Sequence, residues 1–336
     1  MFAGCNRGKE SIKVDLKSEA GQAVIHEMIP HIDVVIHNFR PGTMETLNLD
    51  FETLERLNSR LIYMAISGFG TEGPLRRAPA YDPIIQAQCG MAATQGSDES
   101  PTFIRSLLCD KITGYTACQA VTSALFARER TGNGQIIDLS MLDSGLFFMF
   151  PDGFQNHALL DEDTIPGGLL IDILYDLTLT KDGGVTVAAA NQEMQGRMLN
   201  AIGLLHLLQD ERFNSMKKLV ENLHIFRDLV AEKCMEYTSD ELLALLREVE
   251  VPCAKCLTRD EVLAQEQLSA NDSVSIVDHP HLGTLRIVRA PPRFGGERLE
   301  PSRPTPAHGE HTDSVLSSFG VPADRIEVLK SEEVIG

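Results

Sequence analysis

Apolar, β-rich runs alternate with helical periodicity through the first half of the chain, and this alternation constrains the fold more than any other feature. Residues 11–16, 33–37, 61–67 and 136–142 are predicted strands, because they are short and rich in β-branched residues. Apolar residues at helical spacing lie between them, as in 19–29, 81–93 and 111–129. Strands that alternate with helices form parallel sheets. The sequence therefore predicts an α/β fold.

The pattern changes in the middle of the chain. Residues 171–180 and 185–190 predict a β-hairpin that turns at Lys181-Asp-Gly-Gly184, and helical segments follow at 193–208, 225–237 and 240–248. A Pro- and Gly-rich stretch then leads into a last helix near 312–319. We expect a large α/β domain over 1–160, a smaller α+β domain over 161–280, and a segment over 281–336 that returns to the large domain.

Composition excludes several classes of function. The formal net charge of −18 disfavours nucleic acid and anionic membranes as partners, because phosphate contacts require clustered Lys and Arg. The sequence has no apolar run of the length that a membrane helix needs, and its start does not resemble a secretory signal. Seven scattered cysteines are typical of a reducing compartment. We therefore expect a cytoplasmic protein, or a mitochondrial one if its true start lies upstream.

Two short motifs suggest ligand or metal sites. The loop Gly68-Phe-Gly70-Thr-Glu-Gly73 matches the G-x-G-x-x-G sequence pattern of dinucleotide-binding sites. Pro74 follows it, however, and a helix cannot open there on a pyrophosphate. The pairs His279/His281 and His308/His311 have spacings that suit a metal, but both lie in Pro/Gly-rich segments, and we expect no metal site.

Two further positions have both a structural and a functional interpretation. Arg40 follows a predicted strand in Asn38-Phe-Arg-Pro-Gly42, where it either belongs to a plain turn or binds an anion. Asp143 follows the last predicted strand of the first half, where a helix begins. A carboxylate at that position is either a helix cap or a reactive group. The residues alone leave both questions open.

Several phrases, in order along the chain, resemble the family III CoA-transferases, the CaiB/BaiF group that includes formyl-CoA:oxalate CoA-transferases. They are NRGKESIKVDLK (6–17), DVVIHNFRPG (33–42), NSRLIYMAISGFG (58–70), YD (81–82) and TGNGQIIDLSMLD (131–143), with further matches at 251–253 and 309–316. The resemblance implies the family's fold, in which the large domain is Rossmann-like. It also implies an interlocked homodimer.

The resemblance implies a transferase that moves CoA from an acyl-CoA to a carboxylic acid, with CoA as substrate and no prosthetic group. Asp143 would be the nucleophile, forming a mixed anhydride and then an aspartyl-CoA thioester. The positions implied to bind CoA are Val14, Asp15, Lys17, Asn38, Phe39, Arg40, Tyr81, Asp82, Gly167 and Gly168.

Two departures from the family pattern keep other functions open. Related acyl-CoA racemases carry a His at the position of Tyr81, and its absence favours transfer over racemisation or epimerisation. The chain also opens almost at the NRGK phrase, where relatives usually have a further strand-helix-strand unit. A non-catalytic CoA-binding paralogue is therefore a further alternative.

Overall fold

A computed structural model of the chain describes residues 1–154, 157–158, 160, 177–189 and 191–336, and for Met216 and Val220 it describes the backbone alone. The chain divides into two compact units. The first consists of Met1–Met149 together with Ser269–Gly336, and the second consists of Phe150–Leu268.

The first unit is built on a three-stranded parallel sheet in the order β1-β2-β3. The strands are β1 (Val34–His37), β2 (Ile62–Ser67) and β3 (Gln135–Ser140). Val34 pairs with Ile62, and Ile62 pairs with Gln135, so all three strands end at the same edge. The predicted α/β architecture with a parallel sheet is confirmed.

Helices precede, connect and follow these strands. Their bounds are α1 (Phe2–Cys5), α2 (Glu19–Met28), α3 (Thr43–Thr46), α4 (Phe51–Glu55), α5 (Asp82–Gln88), α6 (Met91–Gln95), α7 (Leu108–Thr131) and α8 (Met141–Gly153). The single helix predicted over 81–93 is wrong, because Gly90 adopts a left-handed conformation (φ +82°) and separates α5 from α6.

The strand predicted over 11–16 is also wrong. Val14 makes only an isolated antiparallel bridge with Ile335. The chain then turns at Asp15, whose carbonyl accepts a hydrogen bond from the Ser18 N–H, and the Ser18 hydroxyl caps α2 by accepting from the Gly21 N–H at 3.0 Å. Ile12 and Val14 of this segment instead pack against the C-terminal helices, while Leu16 packs in the core beside β2.

The remainder of the first unit contains two hairpins and two helices. They are β7 (Val274–His279) with β8 (Gly283–Val288), β9 (Arg293–Phe294) with β10 (Glu297–Arg298), α15 (Thr312–Ser318) and α16 (Ala323–Ser331). Val24 and Met28 of α2 share a core cluster with Leu316 and Leu329 of the last two helices. The two ends of the described chain are thereby packed together.

The second unit contains an antiparallel sheet, β4 (Thr178–Leu179), β5 (Gly184–Val187) and β6 (Cys253–Lys255), in the order β4-β5-β6. Its helices are α9 (Gln192–Ala201), α10 (Met216–Glu221), α11 (Leu223–Cys234), α12 (Ser239–Glu248), α13 (Arg259–Ala264) and α14 (Glu266–Ala270), the last of which crosses the boundary between the units. The predicted hairpin is confirmed for Thr178–Leu179 and Gly184–Val187, while 171–176 and 190 lie outside the described residues. Within the described ranges, no helix has the length and apolar character to cross a membrane.

Candidate functional site

A cavity of about 530 Å³ opens at the edge of the first unit where the parallel strands end. Carboxyl edges of parallel sheets are the usual place for ligands in α/β proteins. Its walls come from the segments after β1 and β2, from the stretch before α5, and from the first turns of α7 and α8. They are Asn38, Phe39, Arg40, Pro41, Ile66, Ser67, Gly68, Arg76, Ala78, Pro79, Ala80, Tyr81, Asp110, Thr113, Gly114 and Met141.

Close packing of Gly68 against Ala80 shapes one wall. A Cβ on Gly68 would lie 2.2 Å from the Ala80 Cβ, so glycine is what allows the segment before α5 to approach the end of β2. The Gly68 carbonyl also accepts a hydrogen bond from the Leu142 N–H in α8, at 3.0 Å. Gly68, the first glycine of the loop that matches GxGxxG, is therefore part of the cavity wall.

The two arginines of the cavity, Arg40 and Arg76, make it suitable for an anionic ligand. Tyr81 is 75% exposed, which leaves it open to contact with a ligand. The structure therefore brings together Asn38, Phe39, Arg40 and Tyr81, four of the residues that the sequence predicts to bind CoA.

A neighbouring cavity of about 490 Å³ shares Phe39 and Arg40 with the first. Its aromatic side includes Tyr63 and His37, whose ring centroids lie 5.3 Å apart. Burial lowers the pKa of His37, and the nearby Glu45 opposes that effect. The chain after β1 therefore separates two adjoining concave surfaces.

Asp110 is a cavity residue that the sequence prediction missed. It lies in the first turn of the 24-residue helix α7, one turn before Thr113 and Gly114, so all three lie on the same helix face. Burial raises the pKa of the Asp110 carboxyl, and the negative charge of Asp82 raises it further. A carboxylate of increased basicity therefore lines a cavity that also contains arginine.

Asp82, predicted to bind CoA, lies behind the cavity wall. It is 2% exposed, and its carboxylate accepts hydrogen bonds from the Gln86 Nε2 at 2.6 Å and from the Asp110 backbone N–H at 3.0 Å. Both oxygens therefore have protein donors, and the carboxylate supports the turn that carries Asp110.

Asp143 occupies a different environment. Its backbone N–H donates to the Ser140 Oγ at 2.9 Å, so the hydroxyl of Ser140 caps α8, and the interpretation of Asp143 as the helix cap is wrong. The Asp143 side chain is exposed, and it is absent from the walls of both cavities. Its predicted role as nucleophile stays a prediction.

The other predicted CoA-binding residues are not among those that line the cavity. Val14 forms the bridge to Ile335, and the Asp15 carboxylate accepts from the Lys17 backbone N–H at 3.0 Å. Gly167 and Gly168 lie outside the described residues.

Comparison with known proteins gives consistent matches along the chain. The model of CoA-transferase family III matches residues 1–312. The succinyl-CoA–D-citramalate CoA-transferase of Chloroflexus aurantiacus is 31% identical over 336 residues, a match that covers 98% of this chain and 83% of that protein. The acetyl-CoA:oxalate CoA-transferase of Acetobacter aceti is 33% identical over 280 residues, covering 81% of this chain and 70% of that protein.

Comparison with solved structures also gives a match to a protein of this group. The crystal structure of a CaiB/BaiF family protein from Brucella suis superposes with a TM-score of 0.80 at 30% sequence identity. The match covers 95% of this chain and 83% of that one.

Proposed function

Because this chain belongs to CoA-transferase family III, we propose that it transfers CoA from an acyl-CoA donor to a carboxylic acid acceptor. The named relatives are CoA-transferases whose names pair a CoA thioester with a carboxylic acid. The cavity at the carboxyl edge of the sheet supports this function, because it combines arginines for an anionic ligand with a carboxylate that has no basic partner among the described ion pairs.

Asp110 is the nucleophile that the geometry favours, in place of Asp143. The single observation that carries this assignment is that Asp110 lines the cavity together with Arg40 and Tyr81, whereas Asp143 does not. A nucleophile must come within contact distance of the thioester carbonyl, so its presence in the cavity outweighs the position of Asp143 after a strand.

The reaction proceeds through covalent intermediates on the Asp110 carboxylate. Its oxygen attacks the thioester carbonyl, the carbon–sulfur bond breaks, and a mixed anhydride and CoA thiolate form. The thiolate attacks the aspartyl carbonyl of the anhydride and releases the donor acid as a carboxylate, which leaves an aspartyl-CoA thioester. The acceptor carboxylate then attacks this thioester, its carbon–sulfur bond breaks, and a second anhydride and CoA thiolate form. The returning thiolate attacks the acceptor's carbonyl, which releases the new acyl-CoA and restores Asp110.

Residues of the cavity walls bind the substrate in this proposal. Arg40 and Arg76 bind the anionic groups of CoA, while Asn38, Phe39 and Tyr81 contact the remainder of the molecule. Val14, Asp15 and Lys17 stay predicted contacts from the resemblance.

Matched substitutions of the two aspartates test the assignment. We expect Asp110→Asn to lower kcat for CoA exchange by at least about 10³-fold, because an amide cannot form the anhydride. Asp143→Asn should retain exchange within about threefold, since its exposed side chain lies outside the cavity. Mass spectrometry of protein quenched during turnover should find the CoA adduct on the peptide that contains Asp110. An adduct on Asp143, or loss of exchange only in Asp143→Asn, would refute the assignment.

The pH dependence of exchange provides a second test. The nucleophile must be ionised, so activity falls as the pH drops through the pKa of Asp110. Burial and Asp82 raise that pKa, and the acid limb of kcat/KM should therefore lie above the pKa of an ordinary aspartate, about 3.9. A limb at or below the ordinary value would contradict the role of Asp110.

We further propose that two copies of the chain form a homodimer. The first unit exposes large apolar side chains on α7 and α8, with Tyr115 71%, Phe126 61% and Phe147 83% exposed. Exposed aromatic side chains of this kind are typical of surfaces that a partner covers. Light scattering coupled to gel filtration should give the mass of a dimer, and a stable active monomer would contradict this proposal.

A further inference from the structure

Asp82 is a buried carboxylate whose charge is not neutralised by a described basic group. It is 2% exposed, and its oxygens accept from the Gln86 side chain and the Asp110 backbone N–H. None of the ion pairs among the described residues involves it. Burying a carboxylate without a cation is unfavourable. A folding role alone would be served equally well by a neutral acceptor.

Gln86 already attaches the neighbouring loop without help from that charge. Its Nε2 donates to the carbonyls of Ile104 and Ser106, both at 3.1 Å, and its Oε1 accepts from the Ile104 N–H at 3.0 Å. Gln86 therefore holds the segment before α7. What Asp82 adds is a hydrogen bond to the backbone of Asp110 and a negative charge behind it.

From this arrangement we infer that Asp82 is a positioning residue for Asp110, which holds the first turn of α7 at the cavity and places a like charge behind the nucleophile. The inference rests on the proposed function. It replaces the predicted contact of Asp82 with CoA, because both carboxylate oxygens already accept hydrogen bonds from protein donors.

The second negative charge has a chemical consequence for acyl transfer. A carboxylate beside a like charge holds its proton more tightly and is a stronger nucleophile. CoA passes between the enzyme's carboxylate and those of the substrates, and exchange is most nearly balanced when their basicities are similar. Among the described residues, the other titratable or charged groups near Asp110 include Arg40, Arg76 and Tyr81 on the cavity walls, and Cys109 and Lys111 on the same helix. They also include Cys89, whose thiol contacts that of Cys109.

Asp82→Asn tests the negative charge of Asp82, because asparagine has nearly the same shape as aspartate but is neutral. The variant keeps one carbonyl oxygen to accept from the Asp110 N–H and removes the charge. Its amide nitrogen replaces the oxygen that accepts from the Gln86 Nε2, and Gln86 keeps its bonds to the carbonyls of Ile104 and Ser106. We expect a folded protein, a Kd for CoA within about threefold of wild type, and a kcat lower by about 10- to 100-fold. The acid limb of kcat/KM should also move to lower pH than in the wild type. Equal losses in CoA affinity and kcat would instead make Asp82 a ligand contact and overturn the inference, and so would an unchanged kcat with an unchanged limb.

Gln86→Met is the matched control, since Gln86 is as buried as Asp82 but carries no charge. It removes the anchor of the loop and leaves the hydrogen bond between Asp82 and Asp110. We expect a lower Tm than in Asp82→Asn and an acid limb at the wild-type pH. If both variants move the acid limb of kcat/KM equally, Asp82 acts only through the fold and the inference fails.

NMR titration of side-chain carboxyl carbons in aspartate-labelled protein distinguishes this inference from the proposed function. Asp110→Asn assigns the resonance. If Asp110 titrates at lower pH in Asp82→Asn than in wild type, Asp82 acts on Asp110 as inferred, even where exchange assays show that another residue is the nucleophile. An unchanged titration overturns the inference while leaving the proposed nucleophile intact.

Discussion

Adding one methyl group to Gly68 should damage the cavity in a way that a second substitution repairs. In Gly68→Ala the new Cβ would lie 2.2 Å from the Ala80 Cβ. Ordinary carbon–carbon contacts are about 3.5–4.0 Å, so the end of β2 and the segment before α5 must separate by roughly 1.5 Å. Both residues line the cavity, and the adjoining Tyr81 would move with Ala80.

The size of the effect follows from the energy of overpacking. Inserting a methyl group into a filled space usually destabilises by about 1–3 kcal/mol. If the segment before α5 absorbs this strain in the free enzyme and must relax to bind substrate, the KM for acyl-CoA rises by roughly 5- to 150-fold. Gly68 has no left-handed backbone, so the substitution adds no strain of conformation.

The control exchanges the two methyl groups. Ala80→Gly alone removes a partly buried methyl and adds flexibility, with an expected loss of about 1 kcal/mol in the free energy of unfolding. In the double variant Gly68→Ala/Ala80→Gly the new methyl enters the vacated space. Steady-state kinetics and urea unfolding should both show partial recovery relative to Gly68→Ala. Additive losses in the double variant would refute the argument that this contact shapes the wall.

Four further substitutions, in two pairs, test packing within the first unit. Arg128, 8% exposed, donates to the Arg60 carbonyl at 3.1 Å and to the Asp33 carboxylate at 2.8 Å. Arg128→Met should lower the free energy of unfolding in urea by about 2–3 kcal/mol, because it removes a buried donor from the Arg60 carbonyl. Asp33→Asn should lower it by less than about 1 kcal/mol, because the Asp33 side chain is 76% exposed. Equal losses would assign the stabilisation to the ion pair. A Cβ on Gly145 would lie 3.0 Å from the Cys89 Sγ, so Gly145→Ala should lose about 1 kcal/mol after its gain in helix propensity. Cys89→Ala removes the Sγ but leaves the Cys89 Cβ, which would lie 3.2 Å from the new Cβ, so it should reduce that loss; an undiminished loss would contradict the contact.

The parallel sheet was accessible from the sequence because its strands are compact apolar runs. The runs at Ile62–Ser67 and Gln135–Ser140 pair residue by residue in one register, and the first residues of β2 are fully buried. Burial on both faces removes polar positions from the start of β2, which makes that strand easy to recognise. β3 is largely exposed and contains polar residues, and its apolar residues Ile136, Ile137 and Leu139 are what predict it. Local pattern and tertiary environment agree here, so the prediction succeeded.

The segment around Val14 shows why other local patterns misled. Alternation over 11–16 resembles a strand, but the residues at its end bind locally, with Ser18 capping α2 and Asp15 accepting from the Ser18 N–H. Val14 then finds its apolar partners in the C-terminal helices, more than 300 residues away in the sequence. Periodicity reports which residues are buried, and it does not report what buries them.

The choice between Asp110 and Asp143 is a similar problem at the site. A long helix that leads directly into a parallel strand ends at the amino edge of the sheet and begins near its carboxyl edge. α7 follows α5 and α6 and leads into β3, so it is expected to start near the edge where β2 ends. Asp110 precedes the predicted start of that helix by one residue, and topology alone could have placed it at the same edge as Asp143. The rotation of each helix about its axis determines which aspartate lines the cavity. Asp110, Thr113 and Gly114 lie on the face of α7 that lines it, whereas α8 contributes Met141 and not Asp143. That rotation depends on where a helix begins, and that boundary is the least certain part of a sequence-based prediction. The two aspartates could therefore be separated only once α7 was known to begin at Leu108.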